Sequence, residues 1–242
     1  SMYALPKPDE VDPTPVLTPF YLVFFGMMAG DVGYGLMLLV LSAFALKFTD
    51  IEGDAKKLMK VMLYCSIPTM MFGFIFGGFF GNAIPIKPLW VNPVDDPMDV
   101  LYVSLAMGIV HLFTGLGVKA YWLIKHGKVM DAVFDVFFWY ALLTGLIWML
   151  VSSAAGLPGG SIAKYLAIIG AVGLLLTQGR GNASIAGKIF GGIYGLYGVT
   201  SYIGDILSYS RLLALGLATG LIGTSFNLLI GLLGKGVVGY VF

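Results

Sequence analysis

Arg211 is the residue with the most chemistry to offer. It lies in Ser208-Tyr209-Ser210-Arg211-Leu212-Leu213-Ala214-Leu215, deep in the last apolar stretch of the chain. Arginine keeps its charge in proteins. Insertion scales put Arg or Asp at the centre of a membrane helix at about +2.5 to +3.5 kcal/mol. A permanent positive charge at that depth can attract a carboxylate, drive off its proton, or bar cations from leaking past. An arginine that snorkels to an interface or pairs inside a bundle needs no such function, and position alone leaves both readings open.

Two carboxylates share that setting. Asp31, in Phe25-Gly26-Met27-Met28-Ala29-Gly30-Asp31-Val32-Gly33-Tyr34-Gly35, is expected midway along the first span. It lies either on an ion path or in a hydrogen bond that holds the bundle together. Asp205 stands six residues before Arg211. At about 100° per residue, Gly204, Leu207, Arg211, Ala214, Ala218, Ile222 and Ser225 share one face of the last helix. Asp205, Tyr209, Gly216, Gly220, Gly223 and Asn227 lie roughly opposite, so such a helix should meet two different partners and Asp205 is poorly placed to neutralise Arg211. Asp131 and Asp135, one turn apart at the start of the fourth span, suit either a water vestibule or a helix N-terminus. His111 reads as a packed or hydrogen-bonded histidine, and Lys119 can snorkel.

The elements that carry these residues must be membrane helices. The 242 residues are 58% hydrophobic and only 11% charged, against about 25% charge in soluble chains. A net charge of +1 offers no basic surface for nucleic acid. Cys65 is the only cysteine and there are two histidines, so no disulfide framework and no metal site is expected, and no cofactor. There is no phosphate-cradling Gly-Lys-Ser/Thr loop and no Gly-x-Ser-x-Gly elbow.

A span needs about 20 mostly apolar residues. Residues 1–16 read as an extended leader, the end of a cytoplasmic linker, and residues 17–242 as one transmembrane domain. The expected fold is all-α, a polytopic bundle of about six to seven membrane helices with a long final helix. The spans fall near Leu17–Leu46, Met59–Gly81, Val100–Ile124, Ala132–Ala155 and Lys164–Gln178. An amphipathic lead-in, Ile189–Tyr197, then precedes a helix from Gly198 to Leu233. Gly26, Gly30 and Gly33, and the double GxxxG run Gly73, Gly77 and Gly81, read as helix-packing glycines.

With these elements in place, the sequence resembles subunit I, or subunit a, of the V/A-type rotary ATPases. Two motifs carry the resemblance. One is Asp12-Pro13-Thr14-Pro15 together with the stretch from Phe25 to Gly35; the other is Asp205-Ile206-Leu207-Ser208-Tyr209-Ser210-Arg211-Leu212-Leu213-Ala214-Leu215-Gly216-Leu217-Ala218. The short loops look like the prokaryotic form, in a plasma membrane. The resemblance implies a non-catalytic stator that faces a rotating proteolipid ring and offers ions two half-channels. It makes Arg211 the stator arginine that meets each ring carboxylate. Asp31, Asp205, Ser208, Tyr209 and Asp135 are then half-channel candidates or structural polar groups, and Ala214, Ala218 and Ser225 pack toward the rotor.

The family's N-terminal arm, which binds the peripheral stalk, and its last membrane helix are expected to be missing. The Gly216–Asn227 face would then await that helix. A purely structural anchor and an independent secondary transporter are the other classes considered; the absence of clear half-repeats speaks against the latter. One expectation conflicts with the resemblance. With each apolar stretch counted as one crossing, Lys47, Lys56, Lys57, Lys60, Lys119, Lys125, Lys128, Arg180 and Lys188 fall opposite the N-terminus. The positive-inside rule then places the N-terminus outside, whereas the resemblance places it in the cytoplasm and is given precedence.

Overall fold

The computed structural model describes residues 12–50, 52–156, 158–178 and 185–232. Among them the chain is helical: α1 Thr14–Ala29, α2 Val32–Phe48, α3 Gly53–Phe76, α4 Pro97–Lys125, α5 Val129–Ala132, α6 Phe138–Ala155, α7 Gly160–Thr177, α8 Ile185–Ser208 and α9 Ser210–Leu232. A π turn, Val133–Phe137, joins α5 to α6. Among the described residues, five segments are long and apolar enough to cross a membrane: α3, α4, Val129–Ser153, α7 and the 43-residue run Phe190–Leu232. At 1.5 Å per residue that last run is about twice as long as hydrocarbon is thick. The chain is a multi-pass membrane protein, and α1 and α2 are two shorter apolar helices beside these five.

The chain forms two compact units. The first holds Thr14–Met107 and residues 208–232. Here the expected single span Leu17–Leu46 is in fact two helices, because the helical ladder stops at Gly30–Asp31. Contacts with α3 show what happens there. Gly26 sits on Pro68, where a methyl group would come within 2.7 Å of the proline Cβ, and Val32 lies on Gly73. Beyond Val32 the register descends again, with Gly35 against Thr69 and Met70. The chain therefore turns back at Gly30–Asp31, with α1 running along α3 and α2 against it. Glycine then aspartate at this point is a helix stop followed by an N-cap, which hydropathy alone does not register.

This turn also removes the conflict over orientation. The start of α1 lies on the same side as the α2–α3 connection and its Lys47, Lys56, Lys57 and Lys60. Counting each of the five long segments as one crossing, Lys119, Lys125, Lys128 and Lys188 follow on that side, leaving Lys87 and Lys164 on the other. The positive-inside rule then places the N-terminal side in the cytoplasm, in agreement with the resemblance.

α3 ends at Phe76, five residues short of expectation, with Gly77 in the left-handed conformation (φ 75°). Its last carbonyls are met by the returning loop: Leu89 N–H donates to Phe74 and Trp90 N–H to Ile75, at 3.3 and 3.1 Å. Gly77 and Gly81 are thus turn residues. Asn92 closes an Asx turn by accepting Val94 N–H at 3.0 Å, and α4 opens on Pro97, a residue pre-set for a first helical turn. The core of this unit is Met27, Phe76, Val91, Val100 and Leu212.

The second unit, Gly108–Leu207, is built around α6 and α7. Gly145 lies on Ala163 and Ala167, Gly170 on Leu142, and Gly173 on the Phe138 ring. Those pairings descend on α6 as they climb on α7, which makes an antiparallel hairpin. Side-chain-free contacts let the two backbones close to van der Waals distance, the main source of helix affinity in lipid. Val136, Trp139, Leu143 and Leu174 form the centre of this core. α8 presents Gly192 to Leu175 and Gly195 to Gln178, while Phe190, Tyr194 and Tyr197 stay exposed. The expected amphipathic lead-in is real, but the helix runs on past Gly198 and breaks at Tyr209.

The turn at Gly30–Asp31 is open to test with single cysteines, since Cys65 is the only native one and is buried. In sealed vesicles Pro13→Cys and Lys57→Cys should react with an impermeant maleimide from the same side, and Lys87→Cys from the other. Labelling of Pro13→Cys and Lys57→Cys from opposite sides would mean a single first span.

Candidate functional site

Asp31 is the best-connected polar group in the first unit. It caps α2, with Oδ1 accepting Tyr34 N–H at 3.0 Å. The same oxygen accepts Phe80 N–H at 2.9 Å, and Oδ2 accepts Gly81 N–H at 2.8 Å. The residue is 3% exposed. Its partners are all backbone N–H groups, one on α2 and two in the turn that follows α3. Phe80 is the only non-glycine among the described residues with positive φ, at 46°. Such a conformation costs about 1–3 kcal/mol and persists only where its surroundings impose it. Asp31 holds its N–H, and its ring meets Tyr34 edge-on at 5.1 Å.

Beside Asp31 lies a cavity of about 340 Å³ lined also by Asn82, Asn92, Asp95, Thr219 and Thr224. Its lining contains two carboxylates and no Lys, Arg or His, so it suits water or cations rather than anions. Among the described residues, no three His, Cys, Asp or Glu side chains come together to hold a metal.

α9 is two-faced, as its sequence predicts. Leu212 and Gly223 are buried, a methyl on Gly216 would come within 3.1 Å of Met27 O, and one on Gly81 within 2.6 Å of Gly223 C. Asn227 Nδ2 donates to Phe80 O at 2.8 Å. The Gly216–Asn227 face, expected to await a further helix, is covered by the end of α1 and the 77–82 turn. The reversal at Gly30–Asp31 brings those segments there, which one continuous first span would not do. On the other side of α9, Arg211, Ala214, Ile222 and Ser225 are exposed and Ala218 is half-buried. Arg211 stands at the midpoint of the Phe190–Leu232 run. Among the described residues the one ion pair is Lys57–Asp54 on the surface, so Arg211 has no carboxylate partner there.

The other candidates disperse. Ser208 ends α8 and is exposed, and Tyr209 is the break residue, with its ring 5.4 Å from Phe24. Asp205 is exposed on α8 in the second unit. Asp131 and Asp135 are both half-buried there. Asp135 falls inside the π turn, where Phe138 N–H reaches back five residues to Val133 O. A π turn inserts one residue and rotates the helix beyond it, and such turns are frequent at functional sites. Sequence reasoning did not single out Thr219, Asn82 or the backbone of Phe80. The Gly30-Asp31 pair was the available signal that the chain must stop and be capped there.

No family model matches the chain, but individual proteins do. The A-type ATP synthase subunit I of Pyrococcus horikoshii is 36% identical over 236 residues, 95% of this chain and 35% of that protein. The A-type ATP synthase subunit I of Methanocaldococcus jannaschii is 32% identical over 98% of this chain and 38% of its own length. A bacterial relative, the V-type ATP synthase subunit I of Borreliella burgdorferi, is 24% identical over 98% of this chain and 43% of its own. The chain spans about a third of the length of the curated relatives it matches.

Asp31→Ala would leave three backbone N–H groups without their carboxylate acceptor. It should lower unfolding stability by about 3–5 kcal/mol, read as a drop in Tm of the detergent-solubilised protein. Asp31→Asn, which keeps one acceptor oxygen, should lose less. A Tm unchanged in Asp31→Ala would remove the capping role.

Proposed function

We propose, for a chain that belongs to the subunit I family of A/V-type ATP synthases over nearly its whole length, that it is the membrane stator of the rotary motor and that Arg211 is the charge past which the rotor carboxylates move. The observation that supports this most is the division of α9. One face is held by its own chain, and the other carries Arg211, Ala214 and Ser225 uncovered. A guanidinium on an apolar helix is tolerated in a bilayer when protein or water reaches it. Small neighbours let a second helix approach to packing distance. A proteolipid helix that carries a carboxylate meets both conditions.

On this reading an ion arrives bound to a ring carboxylate. Near Arg211 the Coulomb attraction favours the ionised carboxylate, so the ion, H⁺ or Na⁺, leaves into an aqueous path. The same fixed charge repels any cation that would cross without the ring. Membrane potential drives the cycle at about 2.3 kcal/mol per charge per 100 mV. Asp205, Ser208 and Tyr209 flank Arg211 in sequence and are the polar candidates for one access path, with Asp135 and its π turn as a further one. Asp31 is assigned to structure. ATP chemistry belongs to other subunits, with the proteolipid ring, the peripheral stalk and the central subunits as partners.

The test is Arg211→Gln in the complete complex reconstituted into liposomes. ATP-driven ion uptake should fall to background while the subunit still co-purifies with the ring. Arg211→Lys should leave a small residue of activity, since it keeps the charge but not the planar fork. Full uptake in Arg211→Gln would leave the chain as a structural anchor.

A further inference from the structure

We infer that Thr219 and Asn227 are positioning residues for Arg211, fixing the rotation and depth of α9; the role rests on the stator reading. The glycine contacts of α9, Gly216 on Met27 and Gly223 on Gly81, bring backbones close but have no direction. Leu212 in the core and the Tyr209 ring on Phe24 hold the chain at the start of α9, but its glycine-packed remainder can turn or slide with less change in contact. Hydrogen bonds do have direction. Besides its intrahelical bond to Leu215 O at 2.9 Å, Thr219 Oγ1 lies 3.3 Å from Met28 O, on the last turn of α1. Asn227 Nδ2 donates to Phe80 O at 2.8 Å and to Asn82 Oδ1 at 3.0 Å.

Thr219, Gly223 and Asn227 recur every four residues and so form one stripe. The two polar residues are about 12 Å apart along the axis, and Thr219 is about 12 Å beyond Arg211. One hydrogen bond is a pivot. The Thr219 contact, which shares that hydroxyl's one proton with Leu215 O, is a second directional tie at that separation, so together they oppose both rotation and sliding. The acceptor at Phe80 is itself immobilised, since Asp31 holds the N–H of the same residue. Arg211 is thereby tied to the buried carboxylate through Phe80, Asn227 and the body of α9. Each passing rotor carboxylate pulls on the guanidinium, and the stripe supplies the resistance that keeps it in register.

The experiment uses the complete complex in liposomes, with ion uptake and ATP hydrolysis measured on the same preparation. Asn227→Leu should assemble, keep hydrolysing ATP, and lower the uptake-to-hydrolysis ratio about fivefold, the population shift expected from losing one such bond. Asn227→Gln, which keeps the donor, should recover much of that ratio; a purely structural role predicts lower complex yield with an unchanged ratio. Should Asn227→Leu fail to assemble, Thr219→Val, isosteric and still helical, is scored by the same ratio and should lower it about twofold. A wild-type ratio in whichever variant assembles overturns the inference. Arg211→Gln is run alongside to separate the two failures. If it retains uptake, the stator reading fails; if it abolishes uptake while the stripe variants stay coupled, only the positioning role fails.

Discussion

In hydrocarbon a backbone N–H without a partner costs several kcal/mol, and the first unit has two places where its helical ladder stops, at Gly30–Asp31 and at residues 77–82. Asp31 serves both. Its carboxylate accepts the N–H of Tyr34 at the start of α2 and those of Phe80 and Gly81 in the turn. Three donors on one anion offset the penalty of burying it, because bonds to a charged acceptor are the stronger kind. No buried side-chain polar atom among the described residues lacks a partner, and Asp31's own oxygens find theirs in these backbone donors. It holds the turn together with Val32 N–H, which donates to Gly78 O at 2.9 Å.

Much of the remaining architecture depends on that turn. It places the start of α1 beside the lysine-rich α2–α3 connection and so brings the charge bias into line with a cytoplasmic N-terminal side. It also sets the end of α1 and the 77–82 turn against α9. One face of α9 is thereby occupied, and the face with Arg211 is what remains for a partner outside the chain. The buried carboxylate and the exposed guanidinium therefore differ in surroundings. Asp31 is saturated by backbone donors, whereas Arg211 has no carboxylate among the described residues.

Hydropathy and helical periodicity were enough to read the all-helical class, the long spans and the two faces of α9, because burial in lipid acts on every residue of a span. The shortcomings have one cause. Whether a 30-residue apolar stretch crosses once or folds back depends on a single capped residue, and Gly30-Asp31 is too short a signal to alter an averaged pattern. The end of α3 was misjudged likewise, since Gly73, Gly77 and Gly81 keep helix-packing spacing although only Gly73 is helical. Arg211 stands out in the sequence through the cost of its charge, and its role is the one proposed above. Asn227 and Thr219 do not stand out, since an amide or hydroxyl in a membrane helix finds a partner in too many ways for sequence to choose one. The π turn at Asp135 left no mark in the sequence at all.

The proposed function depends most on which face of α9 meets the rotor. Single cysteines at Ala214, Ala218 and Ser225 in the complete complex, oxidised against cysteines on the ring helix that bears the carboxylate, test this directly. Cross-links from those three positions, and none from Gly216 or Gly220, are the result expected. Cross-links from Gly216 and Gly220 alone would mean that α9 turns its other side to the ring, with Arg211 serving packing.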